Sequence, residues 1–225
     1  LELIKKENLG KIKTFCLLHS KEINHEVGSL PNKRLIKSTN NADIIIANSN
    51  FTKELAIKVG INPSKISIIF PGIPKPKSIE KLTQIKAKEI FGDSFPKIIT
   101  VSRLDKRKGH DKILMLIKNL KPKFPKIKYI SIGGGDEEKN LLKFSKELNL
   151  EKEIIFLKNI EFDLKVALIS ESNLFLMPSR IEKKSVEGFG IAYIEAAQYG
   201  IPAIASDVGG TTEAVLHNKT GLIIK

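Results

Sequence analysis

Short apolar runs alternate along the chain with amphipathic stretches, and this alternation predicts parallel strands joined by helices. The first runs cover residues 13–18, 43–48 and 66–70 and are rich in isoleucine and leucine, as buried parallel strands are. Between them the pattern predicts a helix at about 33–38 and another at 51–59, the latter capped by Ser49 or Asn50 and ended by Gly60. The first part of the chain is therefore predicted to be α/β.

A proline-rich segment follows the third apolar run. Pro71, Pro74 and Pro76 lie within six residues and predict a stiff, extended linker. We place the domain boundary here, with a partial N-terminal domain at 1–74 and a C-terminal domain at 75–225.

The alternation then resumes and predicts a doubly wound α/β domain. Its predicted strands are 97–102, 127–132, 153–157, 174–177, 203–205 and 222–224, and its predicted helices are 79–91, 110–120, 136–148, 162–170, a helix from 191, and 211–216. Ligands of such sheets bind at the carboxyl ends of the strands. That rule brings four loops together: Arg103–Gly109, Gly133–Asp136, Pro178–Gly190 and Ser206–Thr211.

Composition narrows the class of protein. The 225 residues are 41% hydrophobic and 28% charged, which is ordinary for a globular protein, and no apolar run is long enough to span a membrane. The first residues lack the apolar core of a signal peptide, and a single cysteine, Cys16, allows no internal disulfide. These features predict a reducing, cytoplasmic location.

The net charge of +13 comes almost entirely from lysine. It suggests attraction to phosphates, either of a nucleotide or of an anionic membrane, although scattered lysines more often coat a solvated surface. The sequence has neither zinc-ligand spacing nor an RNA-binding motif, so nucleic acid is not predicted as a partner.

The candidate chemistry centres on residues 187–195. Gly188, Phe189 and Gly190 precede a helix that starts at Ile191, and the free amide groups of a helix N-terminus favour an anion such as phosphate. Glu187 and Glu195 flank that turn and could accept hydrogen bonds from sugar hydroxyls. The alternatives are a dipole-compensating role for Glu187 and a solvent-exposed position for Glu195.

Three other places in the chain hold weaker candidates for ligand binding. Arg103 and Lys108, in a basic strand-to-helix loop, could clamp a diphosphate, although the charges of such a loop, taken alone, more often form a solvated surface. Gly133 and Gly134 could line a nucleotide or simply form a tight turn. His19 follows a strand, where it could face a ligand or serve only the loop. No metal site is predicted.

Several of these segments occur together in one order. They are Ser102-Arg103-Leu104 with Lys108-Gly109, Ile132–Glu137, Pro178-Ser179-Arg180, Glu187–Ala196, Gly200-Ile201-Pro202, Gly209–Val215 and Thr220-Gly221-Leu222. Over residues 98–225 this set resembles the retaining GT-B glycosyltransferases of family 4, the group 1 transferases. The form of the 187–195 motif is similar to that of members acting on mannose or related sugars in lipid glycan and capsule pathways. Residues 13–73 match more loosely.

The resemblance implies a GT-B fold of two Rossmann-like domains. It implies that the N-terminal domain is incomplete in this chain, because the expected glycine-rich loop after the first strand is missing. The final helices expected at the C-terminal end are missing as well. It implies that Arg103 and Lys108 bind the donor diphosphate and that Glu187 binds the donor sugar. It further implies that the backbone of Phe189, Gly190 and Ile191 contacts sugar and phosphate, that Glu195 binds the ribose and that His19 lies near the donor sugar. Gly133, Gly134, Gly188 and Gly210 would line the donor site.

The implied reaction is transfer of a hexose such as mannose or glucose from a nucleotide-diphospho-sugar to a saccharide or lipid-linked acceptor, with retention and without a required cofactor or divalent metal. Peripheral contact with the inner face of the membrane is an open expectation. The alternative is a non-catalytic nucleotide-sugar-binding module that needs a partner for the acceptor half. Another GT-B enzyme, such as an epimerase or a phosphorylase, is disfavoured by the 187–195 motif.

Overall fold

The computed structural model describes residues 12–75 and 78–225. By their contacts these residues divide into two compact units. The first unit contains the described residues up to Gly72 together with Ile181–Gly190 and Val208–Glu213. The second contains the described part of Ile73–Arg180 together with Ile191–Asp207 and Ala214–Lys225. Two segments of the predicted C-terminal domain therefore belong to the first unit.

The first unit is built on a parallel sheet of three strands, in the order β1-β2-β3. The strands are β1 (Phe15–Leu18), β2 (Ile44–Ala47) and β3 (Ile66–Ile68), joined by α1 (Leu30–Asn40), α2 (Asn50–Lys58) and a 3₁₀ turn at Pro63–Lys65. As predicted, Ser49 caps α2: its hydroxyl accepts a hydrogen bond from the Thr52 amide. The predicted strands and helices of this region are confirmed, with ends that differ by a few residues.

The two faces of this sheet differ. Successive side chains of a strand point to opposite faces, so Leu18 and Ile45 pack into the core with the helices while Phe15, Leu17 and Ile44 point the other way. Phe15 is 58% exposed and Leu17 62%. Parallel sheets are normally covered on both faces, so this exposed apolar face is unusual.

The second unit contains a parallel sheet of six strands, in the order β6-β5-β4-β7-β8-β9. Its strands are β4 (Lys97–Val101), β5 (Lys128–Ile132), β6 (Ile154–Leu157), β7 (Leu174–Met177), β8 (Ala203–Ser206) and β9 (Gly221–Ile224). Its helices are α3 (Lys81–Phe91), α4 (His110–Leu120), α5 (Glu138–Glu147), α6 (Phe162–Glu171) and α7 (Ile191–Gln198); a last short helix, α8 (Thr211–Ala214), starts in the first unit. The doubly wound α/β prediction is confirmed.

The strand order of the second unit reverses between β4 and β7, which pair at Ile98 and Leu174. The chain leaves these two strands in opposite directions, which opens a crevice at their carboxyl ends. The loop Ser102–Gly109 follows β4 and Pro178 follows β7. A core that includes Ile113, Ile117 and Tyr129 packs against β4 at Ile98 and against β7 at Leu176. The loop that holds Arg103 and Lys108 therefore lies at this crevice.

The described part of the proline-rich linker, residues 71–75, is neither helix nor strand. Pro76 lies outside the described residues. The domain division at residues 74 and 75 stays a prediction. No helix in the described ranges is both long and apolar enough to cross a membrane.

Candidate functional site

The loop after β4 is locked to the glycine turn after β5. The Leu104 amide donates to the Gly134 carbonyl at 2.9 Å, and the Glu137 amide donates to the Leu104 carbonyl at 3.1 Å. Gly133 has a φ of 140°, and a Cβ there would lie 2.0 Å from the Ser102 carbonyl oxygen. Gly133 is therefore required by a close backbone approach, whereas a Cβ on Gly134 would meet no atom within 4 Å.

The two candidate cations of the basic loop, Lys108 and Arg103, lie in different surroundings. Lys108 is only 8% exposed, and its ammonium lies 3.7 Å from the Sδ of Met177, the last residue of β7. Arg103 is largely exposed, with its guanidinium 3.4 Å from the Asp105 carboxylate. A nearly buried ammonium suits a bound anion, because burial strengthens the attraction between charges, whereas Arg103 is free to turn towards a ligand.

The N-terminus of α7 reaches the same strand end. Tyr193, in the first turn of this helix, donates its hydroxyl proton to the Met177 carbonyl at 2.5 Å. Lys108 and Tyr193, a residue of the first turn of α7, thus both contact Met177. A cation and a helix N-terminus at one strand end form an anion-binding arrangement.

His110 joins the start of the basic loop to the core of the second unit. Its Nε2 lies 3.0 Å from the Ser102 hydroxyl, and its Nδ1 lies 3.0 Å from the Tyr129 hydroxyl. Burial lowers the pKa of His110 from 6.5 to about 4, because a charged imidazole would lose its hydration. At neutral pH His110 is therefore an uncharged structural residue.

Glu195 lines a cleft together with residues of α6. Its Oε1 is 2.9 Å from the ammonium of Lys165 on α6, and both side chains are about four-fifths buried, at 24% and 19% exposure. The Lys165 ammonium also lies 4.7 Å from the centre of the Phe162 ring. The cleft encloses about 510 Å³, part of it open to solvent. Its walls include Pro74, Phe162, Asp163, Lys165, Glu195 and Gln198.

The glycine motif at 188–190 is held within the first unit. A Cβ on Gly188 would lie 1.9 Å from the His19 carbonyl oxygen, so only glycine fits there. The Gly188 carbonyl accepts a hydrogen bond from the Ser49 hydroxyl at 2.6 Å. Phe189 packs against Phe70 with ring centres 5.8 Å apart. The turn is thus fixed by contacts with the N-terminal segment of the chain.

Gly210 and His19 lie beside that turn. The Gly210 amide donates to the Glu187 carbonyl at 2.9 Å, and a Cβ on Gly210 would lie 2.1 Å from the Gly188 carbonyl oxygen. The His19 ring is exposed, and its Nδ1 is 3.4 Å from the Asn48 side-chain amide. The Glu187 side chain is half-buried. The structure therefore groups His19, Glu187, Gly188 and Gly210.

Glu213 has a structural task in this unit. Its carboxylate accepts hydrogen bonds from the Asn50 amide at 2.7 Å, the Phe51 amide at 2.9 Å and the Asn50 side chain at 2.7 Å. These amides are the unpaired donors at the start of α2. Glu213 therefore occupies the N-terminus of α2 as a cap.

Residues 82–225, more than half of the chain, match the family described as glycosyl transferases group 1. The chain belongs to this family. It is 28% identical over 208 residues to a GDP-mannose-dependent alpha-(1-6)-phosphatidylinositol monomannoside mannosyltransferase of Mycolicibacterium smegmatis, with 89% of this chain and 54% of the relative covered. It is 35% identical over 107 residues to the O-antigen biosynthesis glycosyltransferase WclY of Escherichia coli, with 48% of this chain and 27% of the relative covered.

The fold matches solved structures of similar proteins. The Anabaena protein Alr3699/HepE in complex with UDP-glucose superimposes with a TM-score of 0.79 at 22% identity, covering 96% of this chain and 59% of that one. The chain spans about half the length of the mycobacterial relative and somewhat more of the Anabaena protein. The predicted family and the α/β fold with parallel sheets are confirmed.

In this group 1 transferase the predicted site residues form two groups. The first unit holds His19, Glu187, Gly188, Phe189, Gly190 and Gly210, and the second holds Arg103, Lys108, Gly133, Gly134, Ile191 and Glu195. Their functional roles stay predictions. No cluster of three or more metal-ligating side chains occurs within the described ranges 12–75 and 78–225.

Sequence reasoning did not identify three residues that line the cleft beside Glu195, namely Lys165, Phe162 and Asp163. They follow the loop after β6, and no spacing relates them to Glu195. The only available signal was topological, since that loop also ends a parallel strand of the same sheet.

Proposed function

We propose that this group 1 transferase moves a hexose, mannose or glucose or a similar sugar, from a nucleotide-diphospho-sugar to a saccharide or lipid-linked acceptor, with retention of configuration. The observation that carries this proposal is that the Lys108 ammonium and Tyr193, in the first turn of α7, both contact Met177 at the switch point of the second unit. A dianionic diphosphate is the group that such an arrangement suits best.

The second unit would hold the nucleotide and its phosphates. Lys108, Arg103 and the amide of Ile191 bind the diphosphate, with the turn at Gly133 and Gly134 as backbone wall. Glu195 accepts hydrogen bonds from the two ribose hydroxyls. The cleft beside Glu195 supplies an aromatic face, Phe162, which supports a planar base.

The first unit would hold the sugar. Glu187 accepts hydrogen bonds from hexose hydroxyls, and the backbone of Gly188, Phe189 and Gly190, with Gly210, shapes the turn around it. His19 lies beside this turn through its own carbonyl, which approaches Gly188. A polar ring there is suited to a hydrogen bond with a sugar hydroxyl.

The proposed step is a front-face displacement without a protein nucleophile. The bond between the anomeric carbon and the diphosphate oxygen breaks as the acceptor oxygen bonds to the same face of that carbon. The acceptor proton passes to the departing diphosphate. Lys108 and Arg103 stabilise the negative charge that develops on the leaving group, and in this proposal these cations take the place of a divalent metal or other cofactor.

The relatives support a nucleotide-sugar donor whose base is guanine or uracil. The mycobacterial relative is described as GDP-mannose-dependent, and the Anabaena protein was solved with UDP-glucose. The donor is therefore tested directly, by thermal shift with GDP-mannose, UDP-glucose, GDP and UDP. A ligand that binds only the folded chain raises its melting temperature.

The decisive measurement is transfer of radiolabelled hexose to a lipid or saccharide acceptor, followed by NMR assignment of the new anomeric centre, with and without EDTA. We expect a product of retained configuration and unchanged turnover with EDTA. A product of inverted configuration, or turnover that requires added metal, would contradict the proposed mechanism. Absence of a thermal shift with all four nucleotides would contradict donor binding.

A second candidate is a donor-binding module that requires a partner for the acceptor half. The exposed apolar face of the first sheet, with Phe15, Leu17 and Ile44, favours it, because a parallel sheet needs a cover there. Donor binding without any transfer by this chain would select this candidate. We place either activity in the cytoplasm, on the basis of the single cysteine.

A further inference from the structure

A run of lysines lies at the end of the second sheet where β4 and β5 begin. Residues 118–128 contain five lysines and no acidic residue: Lys118, Lys121, Lys123, Lys126 and Lys128. They extend from the last turn of α4 to the first residue of β5. Because the donor loops follow the carboxyl ends of the same strands, this basic edge lies at the other end of the sheet.

Two aromatic rings stand among these lysines. Phe95 is 61% exposed, and its ring centre lies 6.4 Å from that of Phe124 in an edge-on contact. The Phe95 amide donates to the Lys126 carbonyl at 2.9 Å, which joins the two segments. The Lys123 ammonium lies 5.6 Å from the centre of the Phe124 ring. Lys123 and Lys126 thus lie beside an aromatic pair in which the Phe95 ring is exposed.

Acidic neighbours balance only part of this charge. Lys126 pairs with Asp93 at 2.5 Å, and Lys121 pairs with Glu153 at 2.9 Å. The Lys126 ammonium, with a smaller effect of Lys128, lowers the pKa of the Asp93 carboxyl below its usual value. Five lysines against these two carboxylates leave a local excess of positive charge.

We propose that this basic-aromatic surface, formed by Phe95, Phe124 and the five lysines of 118–128, docks on an anionic phospholipid bilayer. Lysines attract acidic headgroups and extend their ammonium groups to them, while an exposed phenylalanine enters the boundary between headgroups and acyl chains. Aromatic side chains bind single-stranded nucleic acid by stacking successive bases, and here Phe95 is exposed while Phe124 is half-buried, so one open ring among lysines favours lipid over nucleic acid. The inference is independent of the sugar-transfer activity.

The test is co-sedimentation of the complete chain with vesicles of phosphatidylcholine alone or with 30% phosphatidylglycerol. We expect binding to the anionic vesicles only, weakening as salt is raised. Lys118→Glu/Lys123→Glu should lower the partition coefficient at least tenfold, because each lysine near an anionic surface contributes to attraction and each reversal adds repulsion. Phe95→Ala should lower binding several-fold while keeping its salt dependence.

The control is Lys112→Glu/Lys139→Glu, which changes the net charge equally with two exposed lysines in the first turns of α4 and α5, at the other end of the sheet. Matching melting temperatures for all variants would show that they are folded. Equal loss of binding in the control and in Lys118→Glu/Lys123→Glu would overturn the proposal, since net charge alone would then act. Binding to neutral vesicles as tight as to anionic ones would also overturn it. So would full competition by duplex DNA together with unchanged vesicle binding of the Phe95→Ala variant.

Discussion

The ammonium of Lys165 lies 2.9 Å from the Oε1 of Glu195, in a cleft where each side chain is about four-fifths buried. The two residues come from different helices, α6 and α7, and are separated by 30 positions. The pair holds the Glu195 carboxylate in place on the wall of the proposed nucleotide cleft. Because pairing at partial burial limits side-chain motion, Lys165 is a positioning residue for the proposed ribose contact.

This pair should act as a unit in nucleotide binding. We expect Glu195→Gln to weaken binding of the preferred nucleotide about tenfold and Lys165→Met to weaken it somewhat less. If Lys165 acts through Glu195, the Lys165→Met loss should largely disappear in the Glu195→Gln background, as isothermal titration of the double-mutant cycle would show. The matched control is Glu138→Gln, which breaks the more exposed Lys158–Glu138 pair of the same unit. Fully additive losses would exclude a positioning role.

Lys108 should contribute mainly to the rate of transfer. Lys108→Met keeps most of the apolar volume beside Met177 and removes the charge that we propose stabilises the leaving diphosphate. We expect turnover to fall roughly a hundred-fold or more. Steady-state kinetics would measure this, with Lys112→Met as the control on the exposed start of α4. A folded Lys108→Met protein with unchanged turnover would show that the assignment is wrong.

Gly188 should be intolerant of any side chain. In Gly188→Ala the new Cβ would meet the His19 carbonyl oxygen at 1.9 Å, so one of the two backbone segments must move. We expect a loss of roughly 2 kcal/mol or more in the free energy of unfolding, measured by denaturant titration. Gly72→Ala is the control, because a Cβ there meets no atom within 4 Å. Equal stability of both variants would contradict this packing.

Glu213 should stabilise α2 from a distance in sequence. Glu213→Ala leaves the amides of Asn50 and Phe51 without their acceptor and should cost about 1–2 kcal/mol. Hydrogen exchange should then be faster in the first turn of α2 than elsewhere. Glu54→Ala, an exposed substitution within the same helix, should have little effect. Exchange that accelerates equally in both variants would argue against the cap.

His110 should make the stability of the second unit depend on acid. Its pKa is about 4 in the folded chain and 6.5 in an ordinary environment, so between these values the unfolded chain binds the extra proton. The contribution is therefore complete above about pH 6.5 and is lost as the pH falls towards 4, by up to about 3 kcal/mol.

Melting curves from pH 7.5 to 4 would measure this effect. His110→Gln should melt lower at pH 7.5, because its buried partners lose hydrogen bonds, and should show a shallower decline with acid. His25→Gln should keep the slope of the unaltered chain. An unchanged slope in His110→Gln would assign the acid sensitivity to other groups.

The sequence by itself determined the order and type of the elements. Strand β7 and helix α4 have the predicted ends, and Ser49 caps α2, because strand periodicity, helix periodicity and capping depend on neighbours within a few residues. The ordered motifs were also sufficient to indicate the family, and those of Arg103–Gly109 and Gly133–Asp136 follow the carboxyl ends of β4 and β5, where ligands of such sheets bind.

Only the tertiary structure decided which side chains meet. It paired Glu195 with Lys165, assigned Glu213 to the start of α2 and set Gly188 against the His19 carbonyl. It also showed the edge-on contact of Phe95 with Phe124 among the lysines. These contacts join residues far apart in sequence, and their distances depend on how helices pack on sheets. Periodicity fixes which face a residue occupies, whereas packing alone fixes its partner.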